Sequence, residues 1–314
     1  MPTIRSPRRG SMQFWPRKKA KRMYARVRSW MKSDKAKPLA FIGYKVGMTH
    51  IMALNENKNS HLKGEEMSVP ATLIECPPIR IYSIRFYKKH FQALKLEKEV
   101  FFKTEKELLR KLKSPKENKE QLEKINPDSF EKITITVYTQ PKKAGFGKKK
   151  PEALEIGLGG SNKDKLEFVK KNHDKEINLD SVFDINQLVD IHAVTKGKGF
   201  QGPVKRFGIG LKSHKSEKGV RAPGSLGPWV RQQHISWRVA HAGQMGFHQR
   251  VEYNKQILDI SSELEKYGKN FHKYGNIKST YLVIHGSILG PKKRAIIMTT
   301  PIREGKKKHH LSIQ

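Results

Sequence analysis

Acidic residues are scarce in this chain of 314 residues: 29 Asp and Glu stand against 64 Lys and Arg, leaving a formal charge of +35. A field of that size repels itself in isolation, so the composition calls for a polyanionic neighbour. Nucleic acid fits best, because Lys and Arg contacts to phosphate release condensed counterions. Cysteine is nearly absent. The single Cys76, in "IECPPI", excludes an internal disulfide and a cysteine-rich zinc site. Its apolar neighbours suit a buried structural thiol better than a reactive one, in an intracellular chain. No run of about 18 apolar residues is present to span a bilayer. The basic stretches carry Pro and Gly, which disfavours a basic amphipathic helix lying on a membrane surface. The basic start "MPTIRSPRRGSMQFWPRKKAKR" lacks the apolar stretch of a signal peptide. No Ser/His/Asp order, paired-carboxylate signature or phosphate-binding P-loop appears. The expectation is a non-enzymatic chain with no cofactor, no metal and no small-molecule substrate.

The charge that is present is unevenly placed. Residues 1–37 hold thirteen Lys or Arg and one acid, Asp34; residues 196–250 hold eleven and one acid, Glu217. The rest reads as a milder body of short strands. "PLAFIGYKVGMTHIMAL" (38–54) predicts a strand, a tight turn at Gly43 and Gly47, and a second strand. Further strands are expected at 69–75, 79–87, 132–140, 152–160, 189–197, 250–260, 279–288 and 294–300. In "KITITVYTQ", Ile133, Ile135 and Val137 share one face and Thr134, Thr136 and Tyr138 the other. "FQALKLEKEVFFKTEKELLRKLKS" (91–114) predicts a charged amphipathic helix or a pair of them. "SPKENKEQLEKI" (114–125) offers Ser114 as N-cap and Pro115 at the first helical position. "SNKDKLEFVKKN" (161–172) opens a further helix on Ser161 or Asn162.

Together these signals predict a mainly β fold with a helical insert at about 90–130, its body a β-barrel or sandwich. The expected organisation is a basic N-terminal extension (1–37), the first part of the body (38–195), a long basic loop (196–250) and the end of the body (251–314). The loop contains ten glycines, three prolines, four histidines, two tryptophans and three phenylalanines. It lies between two strands, and a run of that length is natural if a partner orders it.

Several motifs have two readings. "GKGFQG" (197–202) matches a dinucleotide-binding glycine pattern, but that site needs a helix to open there, and Pro203 with "VKRFGIG" reads as non-helical. A lysine-flanked glycine loop against phosphate backbone is the better reading. His214, His234, His241 and His248 lack the i, i+4 spacing and supporting acids of a metal site, and suit hydrogen bonding or stacking on nucleotides. "TQPKKAGFGKKKPE" (139–152) reads as phosphate-contacting or as a solvated loop. The RNA-contacting candidates are therefore Arg5, Arg8, Arg9, Arg17, Lys18, Lys19, Lys21 and Arg22 in the tail, and Lys142, Lys143 and Lys148 in the glycine-broken run. In the loop they are Lys196, Lys198, Lys205, Arg206, Arg221, Arg231, Arg238 and Arg250, with Trp229, His234 and Trp237 as stacking groups.

"SPRRGSMQFWPRKKAKR" (6–22), "PLAFIGYKVGMTHI" (38–51), "TQPKKAGFGKKKPEALEIGLGG" (139–160), "HAVTKGKGFQGPVKRFG" (192–208), "RAPGSLG" (221–227) and "HAGQMGFHQR" (241–250) jointly resemble, in order, the blocks of the universal large-subunit ribosomal protein three family in its archaeal form. The resemblance implies a translation-factor-like β-barrel body with a tail and an internal loop that penetrate large-subunit (23S-type) ribosomal RNA. It also implies a role in early subunit assembly, a cytoplasmic location within the large subunit, and a loop tip, at Trp229, near the peptidyl transferase centre. The neighbours it implies are large-subunit proteins fourteen and twenty-four. "LKSHKSEKGV" (211–220) departs from the family pattern, so the modified histidine of some members is not carried onto His214. The competing reading is a non-ribosomal RNA- or DNA-binding factor.

Overall fold

The computed structural model describes residues 9–103, 105–112, 116–216, 218–227, 235–305 and 311–313. Its strands are β1 (Ala40–Asn55), β2 (Glu66–Glu75), β3 (Ile79–His90), β4 (Ala93–Phe101), β5 (Lys132–Thr139), β6 (Ala153–Gly157), β7 (Leu188–Val194), β8 (Phe200–Gln201), β9 (Gly243–Gln244), β10 (Gln249–Ser261), β11 (Tyr281–His285), β12 (Ala295–Thr299) and β13 (Leu311–Ile313). The helices are α1 (Asn162–Asn172) and the single turn α2 (Pro203–Phe207). The chain divides into two compact units, Met1–Arg22 with Thr195–Gln249, and Met23–Val194 with Arg250–Gln314.

The larger unit holds two sheets. In the first, the hydrogen-bonded order runs β12-β7-β10-β11-β2-β1-β13, and β12 also pairs with β1. Six strands therefore form a closed circuit of pairings, and β13 adds to the far end of β1 at Ala53–Asn55. Closure removes the unpaired edges that an open sheet would leave. The second sheet is antiparallel in the order β4-β3-β5-β6. Its register puts Ile84, Ile135 and Ile156 across from one another on the apolar face, which joins the main core. On the polar face Glu155 accepts from Arg85, Tyr87 and Thr134, and Glu99 accepts from Arg85 and Ser83. The mainly β architecture and the alternation of 132–140 are as the sequence indicates.

Three local expectations fail for identifiable reasons. Residues 38–54 contain no turn, because β1 runs through as one strand with a bulge between Lys45 and Gly47. Gly43 serves close approach instead: a Cβ there would lie 2.4 Å from Ile74 Cγ2 and 2.7 Å from Cys76 Sγ. In place of the expected helix at 91–114, residues Ala93–Phe101 form strand β4, paired antiparallel with β3 across a register shift between Phe86 and Tyr87, and a 3-10 turn follows at Leu108–Arg110. The expected helix at 114–125 is a 3-10 turn at Lys119–Leu122, and its proposed cap, Ser114–Pro115, lies outside the described residues. The helix at 161–172 forms as expected. Ser161 accepts from Asp164 N at 3.3 Å and Asp164 Oδ2 accepts from Ser161 N at 3.0 Å, a reciprocal cap.

The basic N-terminal extension is divided. Tyr24 and Ala25 are buried in the main core, and Trp30 lies against Gly157, whose missing Cβ would meet the indole at 2.7 Å. Cys76 is buried, and burial raises its thiol pKa well above the ordinary value. Glu75 is fully buried as well. It accepts from Gly145 N, Tyr274 OH, Lys278 N, Ser279 N and Ser279 Oγ, which ties two loops to the end of β2.

Candidate nucleic-acid interface

The smaller unit carries eighteen Lys or Arg against one acid, Glu217. Its frame is the base of the excursion. Thr195 N donates to His248 O at 3.0 Å, Lys198 N to Met245 O at 2.9 Å, and Met245 N to Gly199 O at 2.9 Å. β8 and β9 pair antiparallel through Phe200↔Gln244 and Gln201↔Gly243. Gly246, at φ +67°, permits this approach, since a Cβ there would lie 2.0 Å from Lys196 O. α2 follows at once, with Pro203 at its first position and Gly208 ending it at φ +68°. Residues 203–207 are thus helical, contrary to the sequence expectation, because proline is well suited to a first helical position. The glycine motif nevertheless sits in the small β8–β9 ribbon rather than in a strand-to-helix crossover, which leaves the dinucleotide reading without its framework.

The N-terminal segment packs on this frame. Ala20 N donates to Phe247 O at 2.8 Å, and Lys18 O lies 2.8 Å from His248 Nδ1. Trp15 meets Trp237 edge to face with centroids 5.4 Å apart, and lies 6.0 Å from Phe207. Two guanidinium groups flank the Phe207 ring, Arg17 at 4.2 Å and Arg206 at 5.1 Å from its centroid. Arg17 also donates to Arg206 O at 3.1 Å. Arg206 in turn donates to Gln244 O at 3.1 Å and His241 O at 2.8 Å, bridging the returning arm. Burial and the neighbouring Arg17 lower the Arg206 pKa, yet an arginine stays charged through the physiological range.

The expected contact residues therefore fall into groups. Arg9, Lys18, Lys19, Lys21, Arg22, Lys196, Lys198, Lys205, Arg221 and Arg238 are exposed. Arg17 and Arg206 are half-buried and hold the unit together. Trp237 keeps 59% of its surface exposed while touching Trp15, and Arg238 lies 5.3 Å from its ring centroid. Arg250, half-buried, belongs to the larger unit. Arg5, Arg8, Trp229, Arg231 and His234 lie outside the described residues.

The three candidate lysines of the 139–152 run have protein partners. Lys142 meets Glu107 at 3.1 Å, Lys143 meets Glu176 at 2.6 Å, and Lys148 pairs with Glu152 beside the buried Tyr44. Among the loop histidines, His248 is buried and His214 is exposed. Pattern reading passed over Phe14, Trp15, Phe200 and Phe207. Phe14 is 50% and Phe200 77% exposed. The signal for them was the same as for the tryptophans, aromatic rings inside basic, glycine- and proline-broken segments. Among the described residues no group of His, Cys, Asp and Glu is arranged to hold a metal, and no helix is long and apolar enough to cross a membrane.

The arrangement offers exposed cations and exposed aromatic rings on a short-range frame, which suits phosphate contact and base stacking. Comparison with known proteins gives the family to which the chain belongs. The large ribosomal subunit protein uL3 of Methanothermobacter thermautotrophicus is 42% identical over 95% of this chain and 92% of its own length. That of Archaeoglobus fulgidus is 41% identical over 96% and 93%, and that of Methanocaldococcus jannaschii 42% over 96% and 92%. The family profile described as ribosomal protein L3 matches residues 1–312, so the chain belongs to the ribosomal protein L3 family.

Proposed function

We propose that this chain is a structural constituent of the large ribosomal subunit, with no chemistry of its own. It holds large-subunit RNA through the unit built from its N-terminal segment and its excursion. One observation carries this reading beyond family membership. Eighteen cations, one acid and the exposed rings of Phe14, Phe200 and Trp237 fall in a single compact unit. The exposed lysines and arginines neutralise phosphate, the aromatic faces receive bases, and Arg17 and Arg206 keep the two segments together. Among the described residues of this unit the helix is the single turn α2, too short to serve as a recognition helix.

The finer reading follows the family resemblance. Trp229 and its neighbours form the tip that approaches the peptidyl transferase centre, and the protein supports early assembly beside large-subunit proteins fourteen and twenty-four. The site of action is the cytoplasmic ribosome. Sedimentation of a cell extract tests the central claim. The protein is expected to co-migrate with large subunits through a moderate salt wash. Recovery mainly on DNA, or on RNA outside the subunit, would favour a non-ribosomal binding factor instead.

A further inference from the structure

The β3–β4 hairpin carries a feature that neither the body nor the basic unit uses. β5 pairs with β3 only as far as Tyr87↔Lys132. Beyond it Lys88↔Lys95, Lys89↔Leu94 and His90↔Ala93 continue as a two-stranded ribbon. Every residue from Lys88 to Glu97 is exposed. A free two-stranded ribbon is marginal in water, and this one has two further liabilities. Lys88 and Lys95 stand directly opposite each other, a like-charge cross-strand pair that is unfavourable without an anion nearby. Glu97 reaches Lys88 at 3.8 Å, but no acid lies between Lys88 and Leu96. At the tip, Phe91 holds φ +52° and is 94% exposed. A bulky residue in that left-handed region of backbone space is strained, and strain of this kind collects at functional positions. Glycine or asparagine would make the turn more easily.

We propose that this ribbon is a second RNA-binding element, separate from the basic unit. The Phe91 ring stacks on an unpaired base, and the face bearing Lys88, His90 and Lys95 lies against phosphate. Register places these three on one side of the ribbon and Leu94 and Leu96 on the other. The absence of acid from the tip and the opposed lysines favour a polyanion over a protein surface as the occupant. The inference rests on the ribosomal reading, because the RNA in question is the subunit's own.

Two full-length variants test it, each chosen so that the isolated ribbon gains. Phe91→Asn relieves the backbone strain and removes the ring, while Lys95→Glu turns the like-charge pair with Lys88 into an opposite-charge pair. Large subunits carrying wild-type or variant protein are probed with base- and ribose-modifying reagents. The expected result is a small cluster of nucleotides, protected by the wild type, whose reactivity rises about tenfold with either variant. Short-range cross-linking from residue 91 should yield a nucleotide adduct. Unchanged protection, or a cross-link to another protein, would overturn the hairpin inference alone. Absence of the wild-type chain from the subunit would overturn the ribosomal reading and this inference with it.

Discussion

The indole of Trp15 meets the indole of Trp237 edge to face, at 5.4 Å between centroids. Tail and excursion, both too basic and too glycine- and proline-rich to build a core alone, thus share an aromatic cluster that Phe207 completes. An edge-to-face pair contributes about 0.5–1.5 kcal/mol beyond its burial. Trp15→Ala and Trp237→Ala are each expected to speed tryptic cleavage within 9–22, and the double variant to do little more than either single one. A double-mutant cycle on the cleavage protection measures that coupling, and strictly additive effects would show the contact to be incidental.

Arg206 and Lys198 predict opposite outcomes although both are cations of the same unit. Arg206 bonds the carbonyls of His241 and Gln244 and covers Phe207, whereas Lys198 is exposed. Arg206→Ala should increase amide exchange over 241–247, and Arg206→Lys should not restore protection, because an ammonium lacks the planar fork. Lys198→Ala should leave exchange unchanged and flatten the salt dependence of RNA binding, lowering the log–log slope by about 0.7–0.9. Hydrogen exchange and a salt titration on the same two variants separate the roles. A slope change with Arg206→Ala alone would invert the assignment.

Much of the body was legible because β-branched runs and period-two alternation are local properties. β5 is the clearest case, with Ile133, Ile135 and Val137 alternating against Thr134, Thr136 and Tyr138. β4 was misread because "ALKLEKEVF" carries both a period of two at Leu94 and Leu96 and Lys/Glu spacings that suit a helix. The adjacent β3 decides between them, and no local pattern reports its presence. Gly43 looked like a turn because sequence does not distinguish a glycine that bends the chain from one that lets Ile74 and Cys76 come close. The candidate site divides in the same way. Its charges and aromatic rings were visible in the sequence, but the meeting of Trp15 with Trp237, and the pairing of Lys143 with Glu176, are tertiary facts.

Glu75 predicts the steepest loss of stability in the body. Its carboxylate is fully buried and receives five hydrogen bonds from neutral donors, three of them backbone amides. Burial and the adjacent Glu75 charge push the Tyr274 hydroxyl far above its ordinary pKa, so it stays a donor. Glu75→Ala leaves these donors without an acceptor in a site closed to water, at about 1–3 kcal/mol for each left unpaired. Urea unfolding should report a loss of at least about 3 kcal/mol. Glu75→Gln, which keeps the shape and one good acceptor, should lose less. Equal effects would mean that volume rather than hydrogen bonding is what the site requires.

His192 gives the body a pH dependence of known sign. It lies in β7, buried, with Nε2 3.1 Å from Thr299 Oγ1. Burial lowers its pKa below the ordinary 6.5, and the nearby Asp190 charge only partly opposes that shift. Above 6.5 the imidazole is neutral in both folded and unfolded chains and contributes no slope. As pH falls below 6.5 the unfolded chain takes up the proton first, so stability declines until the folded-state pKa is passed. Asp259 titrates in a separate window: burial would raise its pKa, but hydrogen bonds from Tyr267 and Lys266 outweigh burial and hold it below 3.8, so its contribution is lost only in stronger acid. The thermal midpoint of the wild type should therefore fall between about pH 7 and pH 5. His192→Gln keeps a side chain that can bond Thr299 and should remove that part of the slope while leaving the acid limb intact. Identical wild-type and variant profiles across this interval would show that His192 titrates alike in the folded and unfolded chain.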